Sequence, residues 1–296
     1  MRRAIALGAF DGLHTAHMAV LETASRQREG GFAPAVLLFD EHPLRALAGS
    51  APPRLLTDED REALLRGMGL EILYARFGEI KDMSPEAFFG RILLGRFEAG
   101  ALCCGYDYRF GAGALGHVDA LRALCHEHHT ALLTTPEIDY RGAPVSSTRI
   151  RQALREGNLA GANEMLGRPF GYAFPVETGK RIGRTLGFPT LNQPFPAGFA
   201  VPRRGVYASQ AFAGGVWRAG VTNIGVAPTL RDSAESGGPP QACSETYILG
   251  FDGDLYGQRV PVRLLRFLRP EIKFATLDEL KAQIAADAQN AWKEVR

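Results

Sequence analysis

The chain has 296 residues, 46% hydrophobic and 22% charged, which is the composition of an ordinary globular protein with enough apolar residues for two separate cores. Its 34 basic and 32 acidic residues leave a formal charge of +2, so bulk charge gives no reason to expect nucleic acid, and any phosphate site must be local. No apolar stretch reaches bilayer length, which argues against a membrane span.

The N-terminal MRRAIALGAF lacks a full apolar h-region, so Ala4–Gly8 reads as a first strand and not as a signal peptide. Helix-like and strand-like segments then alternate: a helix from Thr15 to about Arg28, strand Ala33–Phe39, helix Thr57–Met68 opened by Thr57 and Asp60, and strand Ile72–Phe77. Helix Ser84–Leu94 follows, with Ser84 as N-cap and Pro85 first inside, then strand Ala101–Gly105, helix Val118–His129 and strand Ala131–Thr135. This alternation predicts an open parallel α/β sheet wrapped by helices, with ligands at the carboxyl ends of its strands. Two short helices, Ser147–Glu156 and Asn158–Leu166, end at Gly157 and Gly167. From about Phe170 the segments become short, β-rich and punctuated by Gly and Pro, which predicts a small antiparallel barrel. Val260–Leu264 alternates, Asp252-Gly253 carries a hairpin signal, and a helix opened by Thr276 and Glu279 closes the chain. The domain boundary falls near residue 167, giving domains 1–167 and 168–296. Cys103, Cys104, Cys125 and Cys243 form no C-x-x-C pair and fit no zinc spacing, so they read as reduced thiols packed in a cytoplasmic protein.

Gly8–His17 (GAFDGLHTAH) follows the first strand and opens the first helix. Gly8 and Gly12 permit a tight turn, and the helix N-terminus turns free N–H groups toward an anion. His14 and His17, three apart, can hold a phosphate and stabilise charge building on phosphorus. The same spacing also fits a capped helix with two surface histidines. A zinc site with His42 as third ligand lacks the H-E-x-x-H helix. Near residue 147, Ser146, Ser147 and Thr148 offer hydroxyls and N–H groups at another helix N-terminus, with Arg151 one turn on. Gly111–Gly116 matches G-x-G-x-x-G, but a charged-aromatic stretch precedes it and it lies outside the first βαβ unit, which argues against a nicotinamide-dependent oxidoreductase.

Gly8–His17 resembles the G-x-F-D-G-x-H-x-G-H signature of the FAD synthetase branch of the HxGH nucleotidyltransferases, with Ala16 at the usual glycine. Phe39–Pro43 is similar to that branch's F-x-P-H-P, with Glu41 replacing proline, and Val145–Arg151 to its S-S-T-x-I-R. Gly105–Gly111 is similar to G-x-D-F-x-F-G, which places a nucleotide contact on Asp107. The resemblance implies that Phe10 and Asp11 join Gly8 and Gly12 in the nucleotide site.

The densest motif is Gly179–Asn192 (GKRIGRTLGFPTLN). Gly179, Gly183 and Gly187, with Lys180, Arg181 and Arg184, form a loop that can wrap phosphates; a plain basic turn leading into a strand has the same composition. Thr190 and Asn192, two apart, face one side of a strand and offer oxygens to a Mg²⁺ already bound to ATP. This stretch resembles riboflavin kinase's G-R-x-L-G-F-P-T-A-N, and the likeness continues through Val221–Gly225, with Asn223 in the binding set, to Glu245–Gly257. By that resemblance Glu245 is the catalytic base. Phe174 stands at a usual glycine, implying an altered barrel entrance.

In this order the motifs resemble the bacterial bifunctional riboflavin kinase/FAD synthetase family. The resemblance implies a Rossmann-like nucleotidyltransferase domain followed by a six-stranded flavokinase barrel. It also implies ATP, riboflavin and FMN as small-molecule substrates, and Mg²⁺ as cofactor. Two rivals are a riboflavin kinase whose first domain has lost FAD synthesis, motivated by Ala16 and Glu41, and a non-catalytic flavin or nucleotide sensor. Oligomeric state is not legible in the sequence.

Overall fold

The computed structural model describes residues 1–41, 45, 49–179, 187–226 and 241–295. Compactness divides the chain into two units, Met1–Ser147 and Thr148–Arg296.

The first unit is a five-stranded parallel sheet in the order β3-β2-β1-β4-β5. Its strands are β1 (Arg3–Leu7), β2 (Ala33–Phe39), β3 (Glu71–Ala75), β4 (Ala99–Gly105) and β5 (Ala131–Thr135). Side-chain alternation feeds two apolar layers, one on each face of the sheet. Ile5, Leu7, Leu37 and Leu102 point to one, where Phe89, Leu93 and Leu121 cover them; Ala6, Val36, Leu38 and Cys103 point to the other, under Leu21, Ala24 and Leu65. Helix α1 (Thr15–Arg26) buries Val20, Leu21 and Ala24, and α2 (Asp58–Gly67) starts where Thr57 accepts the Asp60 N–H at 3.1 Å. The helix expected over Ser84–Leu94 does begin at Ser84 and Pro85, but from Phe88 to Arg96 it widens into π-type turns. The wider turn puts Phe88, Ile92, Leu93 and Phe97 on one buried face at spacings of four to five residues, which 3.6-residue turns would spread apart. The strand read as Ile72–Phe77 stops at Ala75, and Phe77 instead opens a helical turn, its N–H held by Asp40 at 2.9 Å. Helix α3 (Val118–Glu127) completes the unit.

The second unit opens with α4 (Ser147–Glu156, whose first residue belongs to the first unit) and α5 (Leu159–Leu166). Asn163 ties α5 to the strands that follow, donating to Leu264 O at 3.1 Å and accepting from Phe170 N at 2.7 Å. Gly167 ends α5 in the left-handed region at φ +69°, as the sequence predicts. A six-stranded antiparallel sheet then runs β6-β11-β8-β9-β10-β7. Its members are β6 (Gly171–Pro175), β7 (Thr190–Pro194), β8 (Gly205–Ala213), β9 (Val216–Val226), β10 (Ala242–Ile248) and β11 (Arg259–Arg269). The end strands approach each other through a bridge between Glu177 and Asn192, and through Gln193, fully buried, which donates to Phe174 O at 2.7 Å and Val260 O at 2.8 Å. The sheet is therefore a nearly closed barrel. Phe174 packs inside it, stacked on Tyr172 at 4.9 Å and edge-on to Phe199 at 5.1 Å, so it fills the core and is not an entrance residue. Helix α6 (Leu277–Lys293) closes the chain, capped by Thr276 accepting from Glu279 N at 3.2 Å.

Asp252-Gly253 does not make a hairpin: β10 and β11 are not neighbours in the sheet. The tight hairpin joins β8 and β9 at Gly214-Gly215, whose φ values of +63° and +80° are those a twisted two-residue turn requires. All four cysteines are free and buried.

Candidate active sites

In the first unit the strand order reverses between β1 and β4, the switch point where open α/β sheets bind ligands. A cleft of about 310 Å³ lies there, built from the carboxyl ends of β1, β4 and β5. It gathers Gly8, Phe10, His14, Ala16 and His17 from the first loop, Asp107 from the β4 loop, and Ser146 and Ser147. His14 caps α1: its Nδ1 accepts the His17 N–H at 3.3 Å, which leaves its proton on Nε2. The two imidazoles stack at 3.6 Å, 15° from parallel. Burial and the neighbouring His14 hold His17 well below the usual histidine pKa, so its ring is neutral.

The loop that presents these rings is strained and braced. Phe10 and Leu13 have φ values of +51° and +44°, a left-handed region costing of order 1 kcal/mol for a residue with a side chain, yet both are fully buried. Gly12, at φ +82°, has no room for a Cβ, which would lie 2.7 Å from Leu55 Cδ1. Asp11 Oδ1 accepts from Leu55 N at 3.0 Å, and Ser147 Oγ donates to Asp11 O at 2.8 Å. Asp11 and Gly12 thus stand behind the cleft and hold its shape.

In the second unit the site lies on the outside of the barrel. Glu245 on β10 stands opposite Asn192 of β7 on one side and Asn223 of β9 on the other, and Thr190 pairs with the adjacent Tyr247. Directly opposed residues share a face, so these groups form one patch. Glu245 and Asn223 line a slot of about 330 Å³ whose walls include Phe188, Tyr247, Phe274, Leu280 and Ile284. Thr190 belongs both to this slot and to a neighbouring cleft with Asn192, Phe251, Asp252 and Tyr256. Helix α6 forms one wall, fixed by the ion pair of Arg269 with buried Asp287, at 2.7 and 3.0 Å to Oδ2 and 3.2 Å to Oδ1. The Glu245 carboxylate is reachable by solvent but recessed among protein groups; burial first, and Glu271 second, raise its pKa above the usual carboxylate value.

A family model described as FAD synthetase matches residues 1–149, and one described as riboflavin kinase matches residues 166–295. The chain belongs to the bifunctional riboflavin kinase/FAD synthetase family. The bifunctional riboflavin kinase/FMN adenylyltransferase of Escherichia coli strain K12 is 35% identical, over 97% of this chain and 91% of its own length. That of Bacillus subtilis strain 168 is 33% identical over 97% and 90%. The crystal structure of a macrolide-efflux protein from Streptococcus pneumoniae has the same two-part fold, with a TM-score of 0.86 at 27% identity, covering 98% of this chain and 93% of that one. Among the described residues here, no helix is long and apolar enough to cross a membrane.

The cleft on the parallel sheet brings together Gly8, Phe10, His14, His17, Asp107, Ser146 and Ser147, while Thr148 and Arg151 fall in the second compact unit. The patch on the barrel brings together Thr190, Asn192, Asn223 and Glu245, and Gly179 lies against Asn192. Lys180, Arg181, Gly183 and Arg184 lie outside the described residues, as do His42 and Pro43. Sequence reasoning missed Leu55 as the brace of the first loop, and Phe274, Glu271 and the Arg269–Asp287 pair in the second site. None of these sits in a phosphate-like motif, and only packing reveals them.

Proposed function

We propose that the two reactions of this family run in two separate clefts: riboflavin to FMN on the barrel, then FMN to FAD on the parallel sheet. Domain 168–296 carries the first and domain 1–167 the second, in the cytoplasm. The proposal rests above all on Glu245, a carboxylate with a raised pKa at the mouth of an aromatic-lined slot, one strand away from Thr190 and Asn192.

The slot suits the flat apolar flavin ring, and the adjoining cleft suits ATP, with its triphosphate toward Thr190, the residue the two share. Glu245 takes the proton of the ribityl 5′-hydroxyl as that oxygen bonds to the γ-phosphorus, and the bond from γ-phosphorus to ADP breaks. A carboxylate with a raised pKa is the stronger base for this. The Thr190 hydroxyl and Asn192 amide oxygen would hold a Mg²⁺ that arrives on ATP; two neutral oxygens suit a phosphate-bound ion better than a dedicated protein cage. Bound there, Mg²⁺ supplies charge neutralisation on the phosphates. Gly179, against Asn192, borders the phosphates, and Asn223 borders the flavin.

On the sheet, the FMN phosphate attacks the α-phosphorus of ATP and pyrophosphate leaves. His14 Nε2–H and the α1 N-terminus stabilise the charge building there, with His17 buttressing His14. Gly8, Phe10 and Asp107 contact the nucleotide; Ser146 and Ser147 take the leaving phosphates; Asp11 and Gly12 hold the loop.

A second reading, a kinase with an impaired adenylyltransferase, draws on Ala16, which lines the first cleft. Incubation with FMN and Mg·ATP decides between them: FAD with equimolar pyrophosphate is expected, and its absence favours the second reading. Glu245→Gln is expected to abolish FMN formation from riboflavin while sparing FAD formation from FMN; retained kinase activity would remove Glu245 as the base.

A further inference from the structure

Glu271 lies in the segment between β11 and α6 and reaches back over β9. Its Oε1 accepts from Asn223 Nδ2 at 3.3 Å. A Cβ on Gly225 would sit 2.5 Å from that same oxygen, so the carboxylate occupies the space a side chain at Gly225 would fill. Asn223 and Gly225 are two apart on β9 and share a face, and Asn223 stands directly opposite Glu245.

An amide opposite a carboxylate is its natural hydrogen-bond donor. Here the donor end is turned away, to Glu271, while Asn223 Oδ1 is buried with no partner. Among the described residues Glu245 accepts no side-chain hydrogen bond; Asn223, in register with it on the next strand, carries an amide donor that is already committed to Glu271. A hydrogen bond donated to a carboxylate favours the charged form and makes it a weaker base.

We propose that Glu271 is a positioning residue of the kinase site: it captures the Asn223 amide donor and so leaves the Glu245 carboxylate unbonded for the substrate hydroxyl. This rests on the reading of Glu245 as base. The charged groups that share the slot with Glu245, among the described residues, are Glu271, Arg269 and Asp287. Arg269 and Asp287 neutralise each other in their ion pair, so the charge of Glu271 is the one left unbalanced beside Glu245.

The test compares FMN formation by wild type, Glu271→Ala, Glu271→Gln and Glu245→Gln across pH 5–9, with riboflavin and Mg·ATP. Glu271→Ala frees the amide to turn to Glu245; kcat is expected to fall about tenfold at pH 7, with KM for riboflavin within about twofold, and the acid limb to move to lower pH. Glu271→Gln keeps an acceptor for Asn223 but loses the charge; kcat is expected within about threefold of wild type, with a smaller move of the limb. Glu271 is exposed, so both variants should keep the wild-type unfolding midpoint. A Glu271→Ala enzyme with wild-type kcat and limb overturns the inference, as does a Glu271→Gln enzyme as slow as Glu271→Ala. If Glu245→Gln still makes FMN, the base assignment itself has failed; if it is inactive while Glu271→Ala is unaffected, only the role of Glu271 has.

Discussion

Gly179→Ala tests the placement of Asn192 more sharply than a change at Asn192 itself. A Cβ built on Gly179 lies 2.5 Å from Asn192 Cγ and 2.4 Å from its Nδ2. Non-bonded carbons rest about 3.5–4 Å apart, so alanine must push the amide by about 1 Å. Gly179 is not among the glycines with positive φ, so the backbone accepts alanine and the strain falls on Asn192. Overpacking of this kind costs about 1–3 kcal/mol of stability at most sites, too little to unfold a domain. A displacement of about 1 Å in a positioning group costs on the order of 10²-fold in rate. FMN formation by Gly179→Ala is therefore expected to fall by on the order of 10²-fold, with more Mg²⁺ needed for half-maximal rate, while FAD formation from FMN is unchanged. Both rates can be read by chromatography on the same preparation. A folded variant with unaltered FMN formation and Mg²⁺ dependence would refute the reasoning.

His14→Ala is expected to cut FAD formation from FMN by on the order of 10²-fold or more, with FMN formation from riboflavin untouched. His17 also sets a pH dependence of stability. Its folded pKa lies well below 6.5, so below about pH 6.5 the unfolded chain takes up a proton that the folded chain refuses. Stability is full above that pH and is lost as pH falls toward the folded pKa; the unfolding midpoint of the first unit should drop between pH 7 and 5, and His17→Gln should flatten that drop. Asp287→Ala leaves Arg269 without its partner and is expected to cost about 2–3 kcal/mol, less than for a fully buried pair because Arg269 keeps some solvent contact. It should also raise KM for riboflavin, measured in the FMN assay, because α6 walls the slot.

Where the chain's own local chemistry decides, the sequence is a sufficient guide. The caps at Thr57, Ser84 and Thr276, the left-handed stop at Gly167 and the alternation of Val260, Val262 and Leu264 all act within a few residues. The first phosphate loop is equally legible, because it leaves one strand and caps the next helix. What escapes is set by pairing across the sheet. Asp252-Gly253 has the composition of a hairpin turn, but β10 pairs with β7 and β9, and the two glycines at 214–215 take that role. Asp11 sits in the densest part of the first motif, yet its carboxylate serves Leu55, forty-four residues on. The environment of Glu245 comes from β7, β9, α6 and Glu271, none near it in sequence.

The most direct test of the two-site account is complementation. Glu245→Gln and His14→Ala/His17→Ala proteins are each incubated with riboflavin and Mg·ATP, alone and mixed, and FMN and FAD are followed together. Alone, the first is expected to make neither product and the second to accumulate FMN without FAD; mixed, they should produce FAD after a lag while FMN builds. FAD from the histidine variant alone, or FMN from Glu245→Gln alone, would contradict the assignment of the two reactions to these two clefts.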